Sequence, residues 1–314
     1  MIMAIVTNET LNALRTTLRG EFRTAFQNAS AASFYGKLST LIQSSSKTNT
    51  YDWLSKFPQM REWVGKRVLK SMGEASYQIT NKKYEATLGV ERTDIEDDNL
   101  GLYRTIAQSM GQEAGEFLDR EIAKLMKSGF SALCYDGQNF FDKEHPVYPN
   151  ADGTKEDDDS TTKRVSNIYE KTAGENNEPW FLLSLNRPLK PFILQQRTQM
   201  EFESITDTKD ESVFLEDKYM HGIRWRGNFG FGLWQQAVGS KSELTAEAFE
   251  GAYKMMQQFK RDGGDPMGIV PSTLVVSPSN QSAAEKILKA QFLDSGASNI
   301  NYQKVELIVN PWLA

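Results

Sequence analysis

The sequence predicts an α+β fold built from extended parts, and three stretches carry that expectation. Asp98 to Gly129 reads as one long helix, residues 64–95 have a loose strand-like period, and residues 180–238 are rich in strand-forming segments. In the first, Leu102, Ile106, Met110, Ala114, Phe117, Leu118, Ile122 and Leu125 recur at three- and four-residue steps. Asp98 or Asn99 can cap its start, and Gly129 is placed to end it after Lys124 and Lys127. At 1.5 Å per residue, about 28 residues make a rod of roughly 42 Å, longer than most helices of a compact domain. Gly101, Gly111 and Gly115 weaken it intrinsically, so something must pack along it. A sheet, or the base of the strand-like excursion before it, is the expected neighbour at those glycines.

The remaining elements follow in chain order. Residues 7–27 read as an amphipathic helix capped by Thr7 or Asn8. Leu11, Leu14, Leu18, Phe22 and Phe26 form its apolar stripe, and Arg15, Arg19 and Arg23 form a basic row. It either packs on its own domain with solvated arginines or serves as an arm that docks on a partner. A polar linker, Ser44 to Thr50, leads to an aromatic cluster of Tyr51, Trp53, Phe57 and Trp63. Candidate strands are 64–70, 76–80 and 84–90, with Asn81-Lys82-Lys83 between the last two. This charged region holds too little apolar material for its own core, which fits a β-excursion projecting from the body. After the long helix, Asp136-Gly137 marks a turn, Phe140 and Phe141 read as loop anchors, and residues 149–178 read as a long surface loop. Strands are expected at 180–185, 192–194 and 200–203, with Pro188 and Pro191 confining the middle one to an edge or bend. The glycine- and aromatic-rich run Tyr219 to Leu233 follows. Helices at 245–261 and from Asn280 or Ser282 to about Phe292, and strands at 273–277 and 305–309, complete the chain.

Composition narrows the function classes. The 314 residues are 39% hydrophobic and 25% charged, ordinary for a folded chain. The net charge of -5 gives no footprint of a nucleic-acid binder. No apolar run approaches the roughly 18–20 residues that span a bilayer, and the N-terminus lacks the pattern of a secretory signal. One cysteine excludes an internal disulfide. Cys134 with His145 offers a thiol and a base but no third orienting group, and a lone cysteine is commonly a small buried apolar residue. Asp142-Lys143-Glu144-His145 and the acidic run Glu156–Asp159 offer possible metal ligands without a full set. Gly227, Gly230 and Gly232 do not open a helix, so close sheet packing suits them better than a dinucleotide fingerprint. No catalytic, metal or cofactor constellation emerges. The alternative to a structural protein is a metal-binding protein or enzyme using Asp142, His145 and the acidic loop. Elements that cannot bury their apolar faces alone imply a protein completed by copies of itself.

Several blocks resemble one known family. Tyr51-Asp52-Trp53-Leu54, Phe57-Pro58-Gln59-Met60-Arg61-Glu62-Trp63, Ile79 to Glu85, Ile95-Glu96-Asp97-Asp98 and Leu133 to Phe141 resemble the Mu-like phage major head subunit (gpT) family, as do Pro271 to Val276 and Val305 to Leu313. The similarity runs through nearly the whole chain, with the blocks in order. It implies the tailed-phage major capsid fold of the Hong Kong 97 type. Residues 1–50 would be the N-terminal arm and 51–97 the extended loop region. Residues 98–240 would be the peripheral domain, with spine helix 98–129 and inserted loop 149–178, and 241–314 the axial domain. Strands 180–238 resemble ones that in many such shells follow the axial domain, whereas here they precede residues 241–314.

The implied function is a major capsid protein, not an enzyme and without cofactor. It would self-assemble as pentamers and hexamers into an icosahedral head shell around double-stranded DNA. The implied partners are a scaffold protein, a head maturation protease, a portal and non-specifically held DNA, with no membrane. The place is the virion, after synthesis in the bacterial host cytoplasm. Expected contacts between subunits are Arg15, Arg19, Trp53, Phe57, Trp63, Lys66, Arg67, Lys82 and Lys83. The aromatics would anchor the loop base and the lysines and Arg67 would face acidic surface on a neighbour.

Overall fold

Thr7 opens the first helix with a reciprocal cap in the computed structural model, which describes residues 7–55, 77–96, 100–151, 153, 161–172, 174–207, 209–293 and 295–314. Thr10 N donates to the Thr7 hydroxyl while Thr7 N donates to the Thr10 hydroxyl. The elements in chain order are α1 (Asn8–Ala32), α2 (Tyr35–Leu38), β1 (Ser39–Gln43), β2 (Thr48–Thr50), β3 (Gln78–Thr80), β4 (Lys82–Glu91), α3 (Arg92–Glu96) and α4 (Leu100–Ser128). They continue as β5 (His145–Val147), β6 (Lys163–Val165), β7 (Ile168–Tyr169), β8 (Trp180–Leu183), β9 (Phe192–Ile205), α5 (Glu211–Glu216), β10 (Lys218–Phe231) and β11 (Ala237–Ser240). Last come α6 (Ala246–Gln257), β12 (Thr273–Val276), α7 (Gln281–Leu288) and β13 (Glu306–Val309).

The long helix is α4, and its neighbour at Gly111 and Gly115 is α1, whereas a Cβ at Gly101 would meet nothing within 4 Å. The two helices run parallel. A Cβ at Gly111 would collide with the Phe22 carbonyl and lie 3.0 Å from the Ala25 Cβ, and one at Gly115 would lie 2.5 Å from the Ala29 Cβ. Gly111 and Gly115 thus face Ala25 and Ala29, small residues at four-residue spacing on both helices. The expected sheet or loop base is replaced there by α1, whose stripe of Leu11, Leu14, Leu18 and Phe22 is buried. That packing also carries α1 beyond Gln27 to Ala32. Leu102, counted in the stripe of α4, is exposed, because the buried face in that first turn belongs to Tyr103.

Asp119 ties the end of α1 to α4. Its carboxylate accepts the Phe34 N–H at 3.1 Å and the Tyr35 N–H at 2.8 Å, at the start of α2. Burial drives its pKa up, and these two bonds offset the rise only partly. With the nearby Glu116 charge, the group sits at about 6. On the opposite end of the chain, the last turn also lies on α4. Lys127 Nζ donates to the Ala314 carbonyl at 2.6 Å, and Trp312 lies 5.8 Å beneath the Arg120 guanidinium.

A four-stranded sheet has the order β1-β9-β10-β4, with β1 parallel to β9 and the other pairs antiparallel. The separate expected strands 192–194 and 200–203 are one fourteen-residue strand, β9. It lies between β1 and β10, not at an edge, because Pro188 and Pro191 precede it and leave its N–H groups free to pair. Lys82 and Lys83, expected between strands, lie within β4, and Asn81 alone makes the break. Its amide donates to the Ser44 hydroxyl and the Ser46 carbonyl. Those bonds hold the segment expected as a polar linker, part of which pairs as β2 with β3. Strand 64–70 and the cap residues Asp98 and Asn99 lie outside the described residues.

A five-stranded sheet has the order β13-β12-β8-β11-β7. It draws strands from both sides of residue 240, so a boundary at 240/241 cuts through one sheet. By hydrogen bonding, Trp180–Leu183 and Ala237–Ser240 belong with the C-terminal strands. The region expected as a long loop, 149–178, contributes β6 and β7, and Asn167 within it is fully buried. These strands span two or three residues, too short for a periodic signal. The third expected helix stops at Leu288, not near Phe292.

Between the sheets lies a core rich in aromatics. Phe140 stacks on Phe231 at 4.5 Å and meets Phe141 edge-on at 4.9 Å, and Phe141 lies 5.3 Å from Phe181. Leu118, Ile122 and Met126 of α4 reach into the same core. A second cluster joins Leu11, Leu14 and Leu18 of α1 to Val90 of β4, Tyr103 of α4, Val213 of α5 and Tyr219 of β10.

Candidate assembly surfaces

His145, the histidine of the metal and enzyme alternative, sits in a buried cluster that the Asp142 carboxylate does not join. Its Nδ1 is 2.7 Å from Asp136 Oδ2, its Nε2 is 3.2 Å from Asn167 Oδ1, and its ring stacks on Trp234 at 4.1 Å. Asn167 Nδ2 donates to the Phe140 carbonyl at 2.8 Å, which turns Oδ1 toward His145 and the Asp142 N–H. The Asp142 carboxylate instead accepts from the Lys143 and Glu144 backbone. The Cys134 thiol donates to Asp136 Oδ1 at 3.1 Å and does not engage the imidazole.

Donor atoms of Cys134, Asp136 and His145 lie within 4.8 Å of one another, a spacing that a metal ion can use. Their chemistry points elsewhere. A metal-bound cysteine is a thiolate, whereas burial, with Asp136 beside it, pushes the Cys134 thiol well above its ordinary value. Burial would also raise Asp136, but its hydrogen bond with His145 and the bond from Cys134 outweigh that and hold it below the ordinary carboxylate range. The atoms a metal would need already serve each other and Asn167. The cluster cross-links the loop after α4 to β5, to Asn167 beside β7 and to Trp234, and that is the structural use the geometry supports. The acidic run Glu156–Asp159 lies outside the described residues.

The expected subunit contacts divide into three groups. Arg15 and Arg19 are exposed on α1, and Lys82 and Lys83 are exposed on β4. Trp53 keeps 42% of its surface exposed and lies 6.1 Å from Tyr51, in a turn at Asp52–Ser55. Anchoring at this point falls to Tyr51 and Leu54, which pack with Ile79, Ile193 and Leu233, and the Tyr51 hydroxyl donates to Gln195 Oε1 at 2.8 Å. Desolvation there pushes the Tyr51 phenol up to about 12. Phe57, Trp63, Lys66 and Arg67 lie outside the described residues.

Two apolar patches were not anticipated. Phe214, Leu215 and Ile205 are exposed at the turn between β9 and β10, and Phe292, Leu293 and Ile300 are exposed after α7. The first had a signal: Val213-Phe214-Leu215 is an apolar triplet flanked by Glu211 and Glu216. No described helix is long and apolar enough to cross a membrane.

The chain superposes on the subunit of the procapsid of bacteriophage JBD30 with a TM-score of 0.82, at 44% identity over 98% of this chain and 100% of that one. On the bacteriophage JBD30 capsid the TM-score is 0.74, at 34% identity over 90% of this chain and 91% of that one. The fold is therefore that of a tailed-phage capsid subunit. The major capsid protein of Escherichia phage Mu is 40% identical over 312 residues, covering 98% of this chain and all of that protein. The Mu-like prophage FluMu major head subunit of Haemophilus influenzae is 38% identical over 99% of this chain and all of that protein. Residues 11–313 match the family of the Mu-like prophage major head subunit gpT, and the chain belongs to that family.

Proposed function

We propose that this chain is the major capsid protein of a phage head and that copies of it assemble into an icosahedral shell around double-stranded DNA. The observation that carries the reading is the full-length likeness to the JBD30 procapsid subunit in both sequence and fold. Shell assembly is multivalent: each contact can be weak because many act together. The alternative of a metal-binding protein or enzyme has no support from Asp142 and His145: the Asp142 carboxylate accepts from nearby backbone N–H groups, while the His145 imidazole bonds Asp136 and Asn167. The role is structural and not enzymatic.

On this reading, residues 1–50 are the arm, 51–97 the extended loop region, 98–240 the peripheral domain and 241–314 the axial domain, around which pentamers and hexamers close. The sheet topology supports moving Trp180–Leu183 and Ala237–Ser240 into the axial unit. Arg15, Arg19, Trp53, Phe57, Trp63, Lys66, Arg67, Lys82 and Lys83 contact neighbouring subunits. Scaffold, maturation protease and portal act on the shell, which is made in the host cytoplasm and holds DNA non-specifically. The net charge of -5 is consistent with a lining that does not grip its cargo. The test is sedimentation of the full chain made together with its head genes. Rapidly sedimenting particles are expected, and protein confined to monomers and small oligomers overturns the proposal.

A further inference from the structure

The turn between β9 and β10 carries an uncovered apolar tip with an acidic rim. Val213 of α5 points into the cluster under α1, while Phe214 and Leu215 beside it are 80% and 71% exposed. Ile205, at the end of β9, is exposed too. Scattered exposed apolar residues are ordinary, but adjacent large ones with a third across the same turn mark a contact surface. Residues 201–218 hold seven acidic side chains and two lysines. Asp217 and Glu91 nearby are matched by Arg92 and Lys218. Asp207, Glu211 and Glu216 are exposed and make no ion pair among the described residues.

The same chain carries a surface of opposite charge. Arg15, Arg19 and Arg23 follow at four-residue steps along α1 and are exposed, without an ion pair among the described residues. Within one chain the two surfaces leave each other uncovered, since the tip remains exposed and no arginine of the row pairs with it.

We infer that the β9–β10 tip of one copy docks on the arginine row of α1 in a second copy. Phe214 and Leu215 lie against the aliphatic stems of the arginines, and Asp207, Glu211 and Glu216 pair with their guanidinium groups. The inference rests on the shell reading and names one of its contacts.

The test uses shells assembled from two full-length variants, Leu215→Cys and Arg19→Cys, mixed before assembly and treated with a short bismaleimide. Cys134 is buried and serves as the unreactive control in the wild type. A cross-linked dimer containing both variants is expected in mixed shells and absent from shells of either variant alone. Mixed shells without that dimer overturn the inference, as does dimer formation by Leu215→Cys alone, which places tip against tip. Failure of the wild type itself to form shells overturns the underlying reading instead. A second arm reverses charge: Glu211→Arg with Glu216→Arg lowers shell yield at least about tenfold, and adding Arg19→Glu with Arg23→Glu restores it. An unrestored yield from the fourfold variant, when each chain alone is folded by circular dichroism, counts against the pairing.

Discussion

Gly111 of α4 lies so close to Phe22 of α1 that a Cβ there would strike the Phe22 carbonyl oxygen. The backbone of one helix rests on the backbone of the other, and Gly115 with Ala29 repeats the contact one turn on. Gly111 and Gly115, which weaken the long helix intrinsically, are what admit α1 along it.

Gly111→Leu therefore forces the helices apart. It is expected to lower stability by about 1–3 kcal/mol or more, the cost of overpacking a close contact. Gly20→Ala on α1 is the control, since its Cβ meets nothing within 4 Å, and it should gain up to about 1 kcal/mol. Chemical denaturation of both variants checks the pair. Equal stability of Gly111→Leu and wild type would remove the explanation.

Asp119 bonds the two N–H groups that start α2. Asp119→Ala leaves them without this acceptor and should cost about 1–3 kcal/mol. Its folded pKa of about 6 lies above the unfolded value near 3.8. Its contribution is thus fully present below pH 3.8 and is lost as pH rises through 6. Asp119→Asn should abolish that part of the pH dependence, read as the difference between the two stability–pH curves.

His221 gives the opposite slope. It is fully buried on β10, its Nδ1 lies 2.8 Å from the Ser204 hydroxyl, and its Nε2 has no partner among the described residues. Desolvation, with the positive charge of Arg15, depresses its pKa from 6.5 to about 4. Its contribution is present above pH 6.5 and is lost as pH falls through 4. His221→Gln should flatten melting temperature against pH in that window, and an unchanged slope would contradict the assignment.

The Cys134, Asp136 and His145 cluster is predicted to work without metal. Chelator should leave the melting temperature unchanged, and added zinc should not raise it. His145→Ala should lower stability by about 2–4 kcal/mol, since it opens a cavity beside Trp234 and strips partners from Asp136 and Asn167. A metal-dependent melting temperature would reverse this reading.

Lys82→Glu with Lys83→Glu alters exposed side chains on β4. Assembly should suffer while the isolated chain melts within about 0.5 kcal/mol of wild type, the usual range for surface changes. Equal loss of both would mean that the lysines support the fold and not a neighbour.

Periodic elements were legible in the sequence for a physical reason. The stripes of α1 and α4 bury a regular face, the strand at Thr273–Val276 is buried throughout, and Thr245 caps α6 by accepting the Ala248 N–H. What escaped was held by other means. The segment around Ser44, Asn49 and Asn81 is fixed by side-chain hydrogen bonds, which leave no periodicity. Asn167 organises residues expected as loop through bonds to distant carbonyls. β9 and β10 are continuous because each completes the other across the sheet, which no single segment reveals. The partner of Gly111 lay nearly ninety residues upstream, and only the small residues Ala25 and Ala29 marked it. The proposed contacts between copies leave the weakest trace, as exposed arginines and an apolar triplet at a turn.

Electron microscopy of the full chain assembled with its head genes tests the central claim most directly. Closed icosahedral shells are predicted, with density for this fold repeated around five- and six-fold axes and α1 lying on α4 in every copy. Preparations holding only monomers or small symmetric oligomers would contradict it.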